Sequence, residues 1–390
     1  MNRSRPAWST ATAAPPSSRL VVAGDLVAIP AAVDGGDGLV ALRRADGEVA
    51  WRAATPDLHL ASALARVLVA AGDDTVYLAQ GGHVAAVAVG DGAVRWSRLV
   101  PAAPPFEDFS IDHEPAVDAT HLYLLSRHAR LIAVDRATGA LAWRANDLDS
   151  ATSLALVDGV VVTRSAERAE LRAFVAATGA LVWSRQLIDA PVARPLEAGA
   201  VAVREAARAG VVLMVDGDHT VTALEAATGE VRWELPIVSP VTWAWAGRRL
   251  VVCDEAEVRG VDVAAGVVTW KHPTGGAARV APLDDELVLV ATGDRIAAVD
   301  AATGSATTVA HHTVTEQARV VAAGFGGAVL TTDGGHARWY QRRSGGVDER
   351  DLGPLADGPR ARGGVLVQVE LTADGAVTLD GRGEIARLPR

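Results

Sequence analysis

The stretch Leu131-Ile132-Ala133-Val134-Asp135-Arg136-Ala137-Thr138-Gly139, with Trp143 four residues beyond the glycine, decides the fold. It returns as Ala223-Leu224-Glu225-Ala226-Ala227-Thr228-Gly229, followed by Trp233. Working outward, versions of the phrase end in Gly47, Gly92, Gly139, Gly179, Gly229, Gly266, Gly304, Gly345 and Gly383. Successive glycines stand 37 to 50 residues apart, with a mean of 42. A period of about 40–45 residues with strand-like content marks the four-stranded blades of a propeller. The expected fold is therefore all-β, a closed β-propeller of nine repeat units.

The third unit shows how one blade is written. Pro115–Ala119, His121–Ser126, Leu131–Asp135 and Ala140–Arg144 read as four short strands, and alternating apolar and polar residues predict half-buried strands. The glycine falls where a tight hairpin needs a positive φ, and the preceding Thr or Asp can bond its own backbone. Six residues before the glycine stands a small residue (Ala41, Ala86, Ala133, Ala173, Ala223, Gly260, Ala298), which predicts crowding there. Trp51, Trp96, Trp143, Trp183, Trp233 and Trp270 lie on last strands, where each indole would wedge between blades. Units seven to nine have Thr308, Glu349 and Arg387 instead, so the C-terminal third is expected to be held less firmly.

The repeat covers residues 20–390, which predicts a single propeller domain behind a flexible arm at 1–19 rich in Ala, Pro, Ser and Thr. Trp8, in Pro6-Ala7-Trp8, resembles an isolated last-strand fragment, which would pair with the terminal blade and close the ring. Against this, Glu384–Leu388 already reads as the last strand of the ninth unit, which leaves residues 1–19 as a flexible arm. Net charge is −10, and no Lys/Arg run is present, which disfavours nucleic acid and anionic membrane as partners. Cys253 is the only cysteine, so neither an intrachain disulfide nor a thiolate zinc site can form. No apolar run reaches the ~18 residues of a membrane-spanning helix, so no membrane insertion is expected. As written the chain reads as cytoplasmic; with a leader removed it would be periplasmic or extracellular.

The phrase Ala-x-Asp-x-x-Thr-Gly-x-x-x-Trp resembles the repeat of the pyrroloquinoline-quinone-like propellers. That group includes the quinoprotein alcohol dehydrogenases and the lipoprotein scaffold of the outer-membrane β-barrel assembly machinery. The resemblance covers nearly the whole chain and speaks to architecture, because the tryptophan is a packing device in every member. It implies eight blades, the usual number in the family. The alternatives are a nine-bladed variant or eight blades with one unit left over. The weakest first strands are Leu355–Gly363 and Ala190–Val203. Quinoprotein chemistry would imply a vicinal disulfide and a metal held by Glu, Asn and Asp. One cysteine and two asparagines, Asn2 and Asn146, do not supply these, so no cofactor and no metal is expected. The scaffold lipoprotein fits in size, but no lipobox cysteine stands near the N-terminus.

In propellers the connections between blades open on one face, where partners bind. The longest here is expected at Ser97–Glu114, with Phe106, Glu107, Asp108, Phe109, Asp112, His113 and Glu114 as apolar anchors, carboxylates and a histidine. Such a group suits a docking loop, a hard cation or acid–base work, and equally a solvated rim. Trp243 and Trp245 share one strand face and form either a platform for a flat ligand or extra packing. His272, His311 and His312 follow last strands and are expected on the connection face. Two functions of different class follow. One is a noncatalytic scaffold that binds a protein partner on the connection face. The other is an enzyme or small-ligand binder at the channel mouth, which requires several connections to converge on a tryptophan-lined pocket.

Overall fold

Val84–Val87, Leu131–Val134 and Ile296–Val299 carry an apolar side chain at every position, which suits a strand covered on both faces. In the computed structural model all of them are buried, at most 7% exposed. Half-burial is thus the rule only for outer strands such as Leu181–Gln186, where an inward Trp183 alternates with exposed neighbours. Middle strands are buried on both faces because both faces of a blade are covered by its neighbours.

The structure describes residues 6–12, 20–34, 36–55, 68–71, 74–80, 83–99, 115–126, 130–145, 151–165, 170–186, 207–208, 210–216, 220–238, 242–274, 278–293, 295–312, 320–324, 326–331, 336–344, 346–355, 366–372, 374–380 and 384–389. Among them are 36 strands and no helix. The strands form nine four-stranded sheets, and the fold is a nine-bladed β-propeller. Blades 1 to 8 take consecutive strands, at 21–54, 68–99, 116–145, 151–186, 207–236, 242–273, 278–311 and 320–354.

Blade 9 is built from both ends of the chain. Its strands lie in the order Trp8–Ala11, Glu384–Pro389, Gly375–Asp380, Leu366–Thr372. Residues 8–11, expected within a flexible arm, are its outermost strand, and Glu384–Pro389 is its third strand rather than its last. Trp8 pairs with Arg387, the fourth residue of that third strand, in the same place as Trp143 opposite Ala133. The first strands of blades 5 and 9 are Ala207–Arg208 and Leu366–Thr372, not the segments expected. The connection from Gln186 to Ala207 is therefore longer than that from Leu99 to Ala116.

Two compact units divide the chain: Thr12–Gly217 with Ala223–Val231, and Met1–Ala11 with Asp218–Thr222 and Arg232–Arg390. In the first, Trp51, Trp96, Trp143 and Trp183 each donate the indole N–H to a carbonyl of the following blade, that of Val89, Arg136, Ala176 and Ala226, at 2.7–2.9 Å. In the second, Trp233 and Trp270 do the same to Val263 and Ala301 at 2.7 and 2.9 Å. All six carbonyls stand three residues before a turn glycine. The glycines Gly92, Gly139, Gly179, Gly229, Gly266 and Gly304 have φ between 69° and 75°. A Cβ on any of them would come within 2.7 Å of the arriving tryptophan side chain. The glycine thus makes the hairpin and also serves as the floor for the preceding blade's indole.

The small residue six before the glycine has a different partner, the tryptophan of its own blade. Ala41, Ala86, Ala133, Ala173 and Gly260 pair directly with Trp51, Trp96, Trp143, Trp183 and Trp270. A register shift follows each pair, and such a bulge re-aims the outer strand so that the ring can reach the next blade. The turn acid acts as expected: Asp135 Oδ1 accepts the Thr138 hydroxyl at 2.7 Å and its N–H at 2.8 Å, which together hold the carboxyl below its ordinary value.

Candidate functional site

Of the side chains that the sequence singles out, Phe106, Glu107, Asp108, Asp112, His113 and Glu114 lie outside the described residues. The others do not come together. Trp243 and Trp245 share one face of the strand Thr242–Ala246, while Ala244 and Ala246, on the other face, join an apolar cluster with blade 7. Trp245 is 5% exposed and its indole N–H has no hydrogen-bond partner among the described residues. A ring this deep offers no open face to a flat ligand, and Trp243 is only half-buried.

The histidines are scattered for a structural reason. His272 falls inside the strand Val267–Pro273 rather than after it. Its ring lies 5.6 Å from that of Trp270, and Nε2 meets the Gly304 carbonyl at 2.6 Å, so it braces the indole wedge. His311 is exposed at the end of its strand, opposite Arg295. His312 Nε2 lies 2.6 Å from Glu349 Oε1 in blade 8. Among the described residues no group of three or more His, Cys, Asp or Glu side chains is placed to hold a metal ion.

A buried ion pair in blade 6 escaped the sequence reading. Asp254 follows the second strand of that blade and is 3% exposed. Its Oδ1 accepts the N–H groups of Ala256 and Glu257 at 2.9 and 2.8 Å. Its Oδ2 accepts the Val238 N–H at 3.0 Å and the Arg259 guanidinium, which also donates to the Pro236 carbonyl at 2.6 Å. The Thr274 N–H and hydroxyl reach the same turn, at the carbonyls of Ala256 (3.0 Å) and Glu255 (2.7 Å). One turn therefore anchors the segment entering blade 6 and the segment leaving it. Nothing in the spacing of an Asp and an Arg five residues apart announces this, because the burial comes from segments distant in sequence. Beside Asp254, burial and then the carboxylate's charge push the Cys253 thiol up to about 12, which leaves it a poor nucleophile near neutral pH.

Blade 6 also carries an open depression of about 450 Å³ lined by Glu257, Arg259, Val268, Thr269, Trp270 and Lys271. All six come from two neighbouring strands of one blade, and Lys271 Nζ already meets Glu257 Oε1 at 3.0 Å. This is not the convergence of several connections that an active site at the channel mouth requires. Exposed aliphatic side chains are found instead on outer strands, where Val94, Leu141, Leu181, Val231 and Val267 are 40–57% exposed.

The family model described as outer membrane protein assembly factor BamB matches residues 2–109 and again residues 107–245, together more than half of the chain. The chain belongs to this family. Five of the six wedge tryptophans, Trp51 to Trp233, fall inside the matched segments, and Trp270 lies beyond them. The outer membrane protein assembly factor BamB of Alkalilimnicola ehrlichii is 36% identical over 138 residues, which are 34% of this chain and 33% of that protein. The match thus spans about a third of that curated relative's length. Among solved structures, BamB from Moraxella catarrhalis superposes with a TM-score of 0.54 at 13% identity, covering 99% of this chain and all of that one. The C-terminal WD40 domain of Sif2 gives a TM-score of 0.55 at 7% identity, covering 82% of this chain and 93% of that one. These two likenesses bear on the fold alone.

Proposed function

We propose that this protein is a noncatalytic propeller scaffold that binds a protein partner during the assembly of outer-membrane proteins. The match to the BamB family over more than half of the chain carries this reading. The use of the repeated residues supports it: every turn glycine and indole traced above serves packing between blades. The relatives are outer-membrane assembly factors, so the cytoplasmic location suggested by the sequence as written finds no support in them. The periplasm, reached with a leader that is then removed, is the compartment proposed.

Within this reading the partner docks on the connection face, and Phe106–Glu114 is the segment put forward. It combines two aromatic anchors with carboxylates that would steer a basic partner surface. The test replaces Phe106–Glu114 by a short Gly/Ser linker and compares envelope proteins cross-linked to the wild-type and altered chains. The expected result is an unchanged circular dichroism spectrum with loss of the cross-linked partner. Retention of the partner at wild-type yield would overturn the assignment to this segment. Failure of the wild-type chain to capture any outer-membrane assembly component would overturn the scaffold reading itself.

A further inference from the structure

Blades 7 and 8 meet without an indole. The outer strand of blade 7, Ala306–His311, has no tryptophan: Thr308 stands four residues past Gly304, and Thr307 pairs with Ala298. An apolar cluster that includes Ala281, Leu289, Ile296, Leu330 and Tyr340 still joins the two blades. Beyond it the contact is polar, ionic at Arg342 and a hydrogen bond at His312. Arg342, at the end of blade 8's third strand, reaches the turn before blade 7's second strand, placing Nη1 2.5 Å from Asp284 Oδ2 and Nη2 2.9 Å from Glu286 Oε2. In the other direction His312 meets Glu349 Oε1 at 2.6 Å, and the same oxygen accepts Arg338 Nη1 at 2.7 Å.

We propose that this junction is an electrostatic seam, the place where the second unit yields first when dissolved ions screen its charges. The two kinds of junction respond to salt in different ways. Apolar burial is not screened by ions, whereas attraction between exposed charges is damped over a Debye length of about 10 Å at 0.1 M salt and about 3 Å at 1 M. The side chains of Glu286 and Arg342 are 71% and 37% exposed, within reach of those ions. The apolar cluster takes in Ala310, with Val309 and Val347 packed against it, so it holds the outer strands only in part. Loosening is expected in Ala306–His311, in Gly346–Pro354, which carries Glu349, and at the turn 284–286 that Arg342 reaches. Ionic strength then sets how firmly the outer strands of blades 7 and 8 are held while the indole junctions stay as they are.

Hydrogen exchange on the full chain at about 20 mM and about 500 mM sodium chloride tests this. Amides of Ala306–His311 and Gly346–Pro354 should exchange about three- to tenfold faster at the higher salt, the scale expected for a few partly exposed ion pairs. Those of Leu141–Ala145 and Leu181–Gln186 should not change. Arg342→Gln should exchange fast at Glu286 and Leu287, in the turn that Arg342 reaches, already at low salt. The charge-swapped pair Asp284→Arg with Arg342→Glu should recover part of the protection. Uniform acceleration of all four strands, or none at Ala306–His311, would overturn the proposal. The wild-type salt comparison decides it even where a variant fails to fold.

Discussion

Blades 1 to 6 cover the next blade with an indole from the outer strand, and blade 8 does it with an arginine. Arg350 lies with its guanidinium 5.2 Å from the centre of the Trp339 ring and donates to the Pro389 carbonyl of blade 9 at 2.6 Å. In blade 8 the aromatic ring has moved to the third strand, where Trp339 is 2% exposed, and the cation has taken the outer strand. Blade 9 explains the change. Its third and outer strands come from opposite ends of the chain, so no hairpin joins them and no turn glycine offers a floor to an indole. The Pro389 carbonyl, at the end of the third strand, remains, and a long, flexible donor suits it better than a rigid ring. Wedge and platform are thus one device, and where the chain cannot build the platform the wedge changes chemistry.

The largest expected effect tests the wedge. Trp143→Ala and Trp183→Ala should each cost about 3–5 kcal/mol, the range for truncating a large packed aromatic, as read from urea or thermal unfolding. Near-neutral unfolding of both would show that the rings do not hold blades together. The platform comes next. Gly139→Ala should cost about 2–4 kcal/mol, because the backbone is left-handed at φ +69 and the new Cβ would stand 2.5 Å from the Trp96 ring. Gly24→Ala shares the positive φ but meets nothing within 4 Å, so it should cost only about 1–2 kcal/mol. Equal losses at the two sites would mean that the ring contact contributes nothing beyond strain.

Arg350→Ala should cost about 1–2 kcal/mol, less than any indole removal, since it deletes one stacked cation and one hydrogen bond. A loss as large as that of Trp183→Ala would erase the distinction between the two kinds of junction. Acid should weaken the ionic junction further. Burial alone would raise the Asp284 carboxyl, but hydrogen bonds from Arg342 and from the N–H groups of Glu286 and Leu287 outweigh it and hold the group below 3.8. A depressed carboxyl contributes stability that is present above pH 3.8 and lost as pH falls through the lowered value. The melting temperature should therefore fall below that pH, and Asp284→Asn should flatten the acid limb. An identical acid limb in the variant would assign the decline to other carboxylates. The smallest effect expected is none: dialysis against EDTA should leave the melting temperature where it was, and a clear drop would reveal a metal site.

Much of this was legible in the sequence because the blade repeats locally. Asp135, Thr138 and Gly139 satisfy one another within a single turn, and Trp143 follows at a fixed distance, so a short window contains both the hairpin and the wedge. The count of nine blades came out right, but the ninth was misassembled. Gly383 stands between the second and third strands of blade 9. Pro6-Ala7-Trp8 does resemble a last-strand fragment able to close the ring, but Glu384–Leu388 also reads as a last strand, and no local pattern decides between them. The short first strand Ala207–Arg208 was missed for a related reason, since two residues carry too little alternation to read. At the candidate site the sequence named residue types suited to chemistry, yet His272 and Trp245 are occupied with packing. Asp254 and Arg259 gain their importance only from the distant Pro236, Val238 and Thr274.

The split ninth blade also sets the longest loop that folding has to close. Trp8–Ala11 pairs with Glu384–Pro389 across nearly the whole sequence, a non-local contact of the kind that forms slowly, and until it forms the backbone groups of that strand stay unpaired. An unpaired edge is open to mistaken pairing for as long as it waits. The strand is only four residues long, and Ser9 and Thr10 at its centre make it partly polar. Blade 9 is complete only when these two segments meet.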